Sequence, residues 1–270
     1  MNGIVIDIDP VFLRIGRFEL HWYSLAIIAA IAAAIAIVLH QARKKGIPSS
    51  EIYSIALWSV IAGILGARAF HVIDHFDYYL SNPSQILQFQ GLAIWGGLVT
   101  GVVTGAVCAW LKHMPLGRLF DIVVPALLVA QIIGRFGCIV NGDAYGGVTD
   151  LPWGFIYTNP NALIPSHLLG VPTHPYPVYE ILWNGASLLL LLKLRRYFKV
   201  DGLVFVSYVG LYSVGRLLLT LVREETQVLW GLQQAQVLAL AGMIIAAGVF
   251  AYLQVRGRRG GVVEGETVSG

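Results

Sequence analysis

The sequence predicts an all-α, polytopic integral membrane protein with seven transmembrane helices, its N-terminus outside, its C-terminus cytoplasmic, and a small external head lobe. Three observations lead there. Of 270 residues, 57% are hydrophobic and only 12% charged, against about 25% charged in an average soluble domain. Apolar runs long enough to cross the hydrocarbon, which takes about 20 helical residues each, recur seven times. Lys and Arg collect in alternate connections between those runs, as cytoplasmic loops do. The same composition excludes other classes. The net charge of +3 is too small and too scattered for a nucleic-acid-binding stripe. Two cysteines make no disulfide framework and no paired-cysteine zinc signature. A chain this apolar has ample surface to bury and is not disordered.

The first residues, Met1 to Pro10, carry Asp7 and Asp9 and no Lys or Arg, so no cleaved signal peptide is expected. The runs fall at about 20–40, 52–73, 93–111, 119–138, 177–194, 202–222 and 235–254, with ends uncertain by about 2–4 residues. They are read as helices because lipid offers the backbone no outside partner, and no run of ten alternates as a barrel strand does. The first run leads into Arg43, Lys44 and Lys45, the third into Lys112 and Arg118, the fifth into Lys193, Arg195, Arg196 and Lys199, and the seventh into Arg256, Arg258 and Arg259. Those connections face the cytoplasm. The opposite side receives only Arg14, Arg17 and Arg223. The chain thus reads as a single transmembrane domain over 1–270, with a head lobe at 139–176 and a flexible cytoplasmic tail at 256–270. The lobe contains Asn141-Gly142-Asp143-Ala144-Tyr145-Gly146-Gly147, His167 and His174, and no Lys or Arg. Its glycines let backbone approach a ligand closely.

Arg68, Arg135 and Arg216 lie within spans, where a guanidinium costs at least ~2.5–3.5 kcal/mol and keeps its proton. On the predicted topology all three occupy the outer level of the membrane, with Arg223 just past the sixth span and Glu180 near the start of the fifth. A single such arginine snorkels or pairs with an acid such as Glu180 or Asp74. Three from three helices, facing fewer acids, point to a bound anion, and guanidinium forks suit phosphate. A phospholipid head group is the anion at that depth. The third span opens with Trp95-Gly96-Gly97, then Gly101 and Gly105; for the last two, close helix packing is the reading.

The run Gly134-Arg135-Phe136-Gly137-Cys138-Ile139-Val140-Asn141-Gly142-Asp143-Ala144-Tyr145-Gly146 resembles the signature of the prolipoprotein diacylglyceryl transferases, Gly-Arg-x-Gly-Asn-Phe-x-Asn-Gly-Glu-x-x-Gly. His21-Trp22-Tyr23 resembles the family's Arg-Trp-Tyr, and Gly66-Ala67-Arg68 its Gly-Gly-Arg. His174-Pro175-Tyr176-Pro177-Val178-Tyr179-Glu180 is similar to His-Pro-Ser-Gln-Leu-Tyr-Glu, and Arg216 with Arg223-Glu224 to the arginine pair that closes the sixth helix. The likeness covers about residues 10–255 and implies the family's seven-span architecture.

The resemblance implies transfer of the diacylglyceryl group of phosphatidylglycerol to the lipobox cysteine thiol of a prolipoprotein signal peptide. The products are a thioether and glycerol phosphate, formed at the outer leaflet of a bacterial plasma membrane. By the family's motif, Arg135 and Arg216 are the catalytic pair that clamps the leaving phosphate. Asn141, Asp143 and Gly146 shape the head-group pocket, with Trp95, Gly96 and Gly97 also assigned to substrate binding and Tyr23, Arg68, Glu180 and Arg223 in support. No cofactor, metal or nucleic-acid partner is implied. Three positions depart from the pattern. Trp95 stands where many members carry a histidine and cannot act as a general base, Cys138 replaces an asparagine, and Thr220 replaces an acid. The base stays open among Glu180, Asp143 and direct activation of the thiol by the arginines, since nearby cations lower a thiol's pKa.

Two other functions fit parts of the sequence. His71 and His75 stand at i and i+4 beside Asp74, a spacing able to hold a metal in a membrane metallohydrolase, though not in the zincin order. The arginines also suit an anion transporter, but no internal repeat with matching broken helices is evident. Cys108 and Cys138 fall at opposite membrane faces, so no disulfide is expected between them.

Overall fold

The computed structural model describes residues 3–16, 18–86, 91, 93–223, 227–229 and 232–266. Arg17, Leu92, Glu224 and residues 267–270, which the sequence reading used, lie outside the described residues. Two compact units divide the chain: residues 1–37 with 123–270, and residues 38–122.

The long helices are α1 (Trp22–Lys44), α2 (Ser49–Asp74), α4 (Ile94–Leu111), α5 (Leu116–Asn141), α6 (Tyr176–Leu194), α7 (Leu203–Leu219) and α8 (Gln234–Glu266), with a short α3 (Phe76–Ser81) after α2. Among the described residues, five stretches are both long and apolar enough to cross a membrane: Trp22–Lys44, Ser49–Asp74, Leu116–Asn141, Leu203–Val222 and Gln234–Arg256. The protein is therefore a multi-pass membrane protein. The helix α4, with an 18-residue length, and α6, with 19 residues, are shorter.

Among the described residues, three two-stranded pairs, which hydropathy did not signal, accompany the helices. They are β1 (Ile4–Ile6) parallel to β4 (Phe155–Tyr157), β2 (Val11–Ile15) antiparallel to β3 (Phe18–His21), and β5 (Gln227–Leu229) antiparallel to β6 (Leu232–Gln233). The β2–β3 hairpin is tied by an Arg14–Glu19 ion pair at 2.9 Å. It leads directly into α1, whose Trp22 amide donates to Pro10 O at 3.0 Å.

In the larger unit, α5 runs past its predicted end at 138 to Asn141, because Gly142 provides a left-handed cap. Its φ is +76° and its amide donates to Cys138 O at 2.9 Å, a helix stop that favours glycine. The chain after Gly142 returns to pack against residues near 174 and 222. The Gly146 amide donates to His174 O at 3.0 Å, and the Gly147 amide donates to Val222 O at 2.9 Å. A Cβ at Gly146 would meet His174 Cβ and Val222 O, each at 2.7 Å, so this crossing of three segments requires glycine. The Tyr157 hydroxyl donates to Ile139 O at 2.9 Å and so ties β4 to the top of α5. Burial pushes the Tyr157 phenol above its ordinary range, with Asp143 adding to the effect. Helix α7 packs on α6 where Gly215 admits the Trp183 indole, whose Nε1 donates to Leu211 O at 3.0 Å.

In the smaller unit, α2 and α4 pack antiparallel through small residues. A Cβ at Gly63 would stand 3.3 Å from Gly97 O, and one at Gly101 3.2 Å from Ser59 O. Thr100 Oγ1 reaches Ala62 O across the contact at 3.0 Å. A Cβ at Gly105 would stand 2.8 Å from Ser59 Oγ. This is the close backbone approach that small residues permit between helices in lipid.

Candidate active site

Helix α6 positions the central carboxylate. Its buried residues are Tyr176, Pro177, Glu180, Asn184, Ser187 and Leu191, spaced so that one helix face points inward. Leu182 and Leu189, on the other side, are 65% and 71% exposed. Glu180, 7% exposed, pairs through Oε2 with Arg135 Nε and through Oε1 with Arg216 Nη1 at 3.3 Å. One carboxylate from α6 thus joins guanidiniums from α5 and α7. The arginine side chains keep 27% and 23% of their surface accessible, so the cluster is open on one side.

Tyr176, one turn before Glu180, completes the cluster. Its hydroxyl accepts from Arg216 Nη1 at 2.6 Å and donates to Glu180 Oε1 at 3.1 Å. Arg223 lies over the Tyr176 ring, 5.2 Å from its centroid, a cation–π contact. Arg135 Nη1 also reaches Cys138 Sγ at 3.5 Å. Cys138, Ala144 and Tyr176 form a buried apolar cluster that Tyr23, Leu219 and Val222 pack against. Thr220, where the family pattern carries an acid, is buried and donates from Oγ1 to Arg216 O, which fixes the last turn of α7 under Arg216.

Among the sequence-predicted residues, the larger unit therefore brings together Tyr23, Arg135, Glu180, Arg216 and Arg223. Asn141 ends α5, and Asp143 and Gly146 follow it. Asn141 is buried and its carbonyl accepts from the Leu163 amide at 2.9 Å; Asp143 is exposed. Tyr176 was missed. It stands inside the His174–Glu180 run, but where the likened pattern has serine, and its i, i+4 spacing to Glu180 is shared with many helical pairs.

The smaller unit holds Arg68, Trp95, Gly96 and Gly97. Arg68 is buried and donates from Nε to Ile86 O at 2.9 Å, from Nη1 to Gly91 O at 3.1 Å and from Nη2 to Gln85 O at 2.6 Å. It also lies 5.0 Å over the Tyr79 ring. Gly96 and Gly97 sit in the α2–α4 contact, where a Cβ would meet Gly66 O at 2.7 Å and Gly63 O at 3.1 Å respectively. Trp95 is 69% exposed. His71 and His75 stack with ring centroids 4.4 Å apart, and His75 Nδ1 lies 3.1 Å from His71 O. Among the described residues, no group of three or more His, Cys, Asp or Glu side chains is placed to hold a metal.

Fold and cluster together define a multi-pass helical membrane protein that carries paired arginines on a carboxylate inside its helical core. Residues 10–252 match the family model of the prolipoprotein diacylglyceryl transferases, and the chain belongs to that family. Three similar proteins carry the name phosphatidylglycerol–prolipoprotein diacylglyceryl transferase. The one from Clostridioides difficile (strain 630) is 32% identical over 247 residues, covering 91% of this chain and 94% of its own. That of Lysinibacillus sphaericus (strain C3-41) is 32% identical over 267 residues, covering 95% and 96%. That of Listeria innocua serovar 6a is 31% identical over 260 residues, covering 95% and 94%.

Proposed function

We propose that this protein transfers the diacylglyceryl group of phosphatidylglycerol to the lipobox cysteine of prolipoproteins, the first step of bacterial lipoprotein maturation. The observation that carries the reading is the junction of Arg135 and Arg216 on Glu180. The substrate's thiol sulfur attacks the glycerol carbon that bears the phosphate, a carbon–sulfur bond forms, and the carbon–oxygen bond to phosphate breaks. Glycerol phosphate departs with the bonding electrons, and in the overall balance the thiol's proton ends on the released phosphate. The leaving group gains negative charge, and two fixed guanidiniums are the donors suited to it. Arg135 and Arg216 take that catalytic role. Tyr23, Asn141, Asp143, Gly146, Glu180 and Arg223 line and support the head-group site. Arg68, Gly96 and Gly97 act in support through the α2–α4 pair, and the exposed Trp95 indole contacts lipid.

In this reading all seven long helices cross the bilayer of the bacterial plasma membrane, with the N-terminus and the 139–176 lobe outside and the C-terminus in the cytoplasm. The charge asymmetry between connections supports that orientation. The site then faces the outer leaflet, where a signal peptide and phosphatidylglycerol meet. The test is an assay of purified protein with phosphatidylglycerol and a lipobox peptide. Glycerol phosphate release falls at least 10²-fold in Arg135→Ala and in Arg216→Ala, the scale of removing a transition-state donor. Release that survives both substitutions overturns the proposal.

A further inference from the structure

We propose that Tyr176 is a positioning residue for phosphate binding, holding Arg216 on a neutral oxygen so that the guanidinium is not drawn fully onto Glu180. The inference rests on the transferase reading above and names how one of its two arginines is kept in place.

The geometry is specific. A phenol has one donor and a lone-pair acceptor, and Tyr176 uses both in the cluster. Its oxygen accepts from Arg216 Nη1 at 2.6 Å, while Glu180 Oε1 lies 3.3 Å from the same nitrogen. The phenol therefore holds Arg216 more closely than the carboxylate does. Its proton goes to Glu180 Oε1 at 3.1 Å, so that oxygen keeps a donor when Arg216 turns away from it. This matters because a buried carboxylate oxygen left without a donor is costly. An incoming phosphate displaces a neutral acceptor from Arg216 and leaves Glu180 satisfied. Without the phenol it competes with the carboxylate itself.

The ring is fixed for this task. Tyr176 is fully buried at 0% exposure in the first turn of α6, and its amide donates to His174 O at 2.8 Å. Arg223 stacks over its face, and Cys138 and Ala144 pack beside it. The hydroxyl is held by the protein around it and does not follow the arginine. In the family pattern this position is a serine, whose short hydroxyl does not span the same gap.

The test compares wild type, Tyr176→Phe and Tyr176→Ser as full-length protein in phosphatidylglycerol-containing proteoliposomes with a lipobox peptide. Tyr176→Phe keeps the ring and the Arg223 contact and removes only the hydroxyl. We expect its KM for phosphatidylglycerol to rise about tenfold, the scale of one charge-assisted hydrogen bond, with the KM for peptide unchanged. Tyr176→Ser loses the ring as well and shows the same split with a larger rise. Partial misfolding lowers apparent kcat and leaves both KM values alone, so the ratio of KM values decides the matter even for a poorly folded variant. Lipid and peptide KM values both within twofold of wild type overturn the inference. A wild-type protein that releases no glycerol phosphate overturns instead the transferase reading on which it stands.

Discussion

Glu180→Gln isolates the charge that joins the two arginines. The substitution keeps the side chain's shape but places an amide nitrogen, a donor, against one of two groups that are themselves donors only. Breaking a buried ion pair by removing one partner costs about 3–5 kcal/mol. Arg135 and Arg216 retain 27% and 23% of their side-chain surface, and that solvent access places the cost at the low end, about 3 kcal/mol. For a chain of this length each kcal/mol lowers Tm by about 2 °C, so thermal unfolding in detergent, followed by tryptophan fluorescence, shifts down by about 6 °C. The same measurement carries a second arm. With the carboxylate neutralised, the guanidiniums accept an added anion more readily. Glycerol phosphate at about ten times its Kd recovers ~1.4 kcal/mol, or about 3 °C, and raises the Tm of wild type by less. A Glu180→Gln protein that melts with wild type refutes the argument that Glu180 neutralises the pair. Equal anion responses in the two proteins refute the argument that the carboxylate holds the place of an anion.

Other perturbations follow from single contacts. Arg68→Lys cannot reach Ile86 O, Gly91 O and Gln85 O together, so hydrogen exchange at Gln85 and Ile86 rises at least tenfold while α2 and α4 keep their protection; unchanged exchange removes the clamp. Gly146→Ala places a Cβ against His174 and Val222 O and costs about 1–3 kcal/mol, as overpacking does, measured as a lower Tm with intact helical circular dichroism. Asp9 accepts from the Val11 amide at 2.8 Å and from Asn161 Nδ2 at 2.9 Å, and those two bonds, the backbone one first, hold its carboxyl below the usual range. The depressed pKa means the contribution is present above the unfolded value of about 3.9 and lost as pH falls through the folded one. Exchange protection of the Val11 amide therefore declines on acidification below about pH 4, and Asp9→Asn abolishes that pH dependence.

How much of this was legible beforehand depends on what kind of partner each residue has. Helices that must satisfy their backbone internally announce themselves as long apolar runs, so each of the seven expected runs overlaps a long helix, while α8 continues past its apolar run to Glu266, through polar residues read from the sequence as a tail. The β1–β4 pair was invisible because three-residue strands show barely one alternation, and their register joins Ile4 to Phe155, far apart in the sequence. Arg68 was recognisable as a buried charge needing compensation, but its partners are carbonyls of Gln85, Ile86 and Gly91, and every residue has a carbonyl. For Arg135 and Arg216 the depth argument pointed to a bound anion, with pairing to an acid such as Glu180 as the alternative; the structure joins both side chains to Glu180. What depth alone did not yield was the stoichiometry: both arginines share the single carboxylate, and Tyr176, at a position where the likened pattern carries serine, also bridges Arg216 to it.

The reversed polarity of α6 explains why such a cluster persists in lipid. In a soluble protein, Leu182 and Leu189 would turn inward and Glu180, Asn184 and Ser187 outward, because water solvates the polar face. Here the polar stripe is buried and the leucines are exposed, which is stable only if hydrocarbon replaces water outside, since apolar side chains then lose nothing by exposure. The polar residues must find partners within the bundle instead. Glu180 finds two arginines and a phenol, so the same condition that forces its burial also forces Arg135 and Arg216 to converge. A charged site in this position is therefore not added to a finished fold; the pairing of α5, α6 and α7 through their polar faces is part of how that unit of the protein holds together.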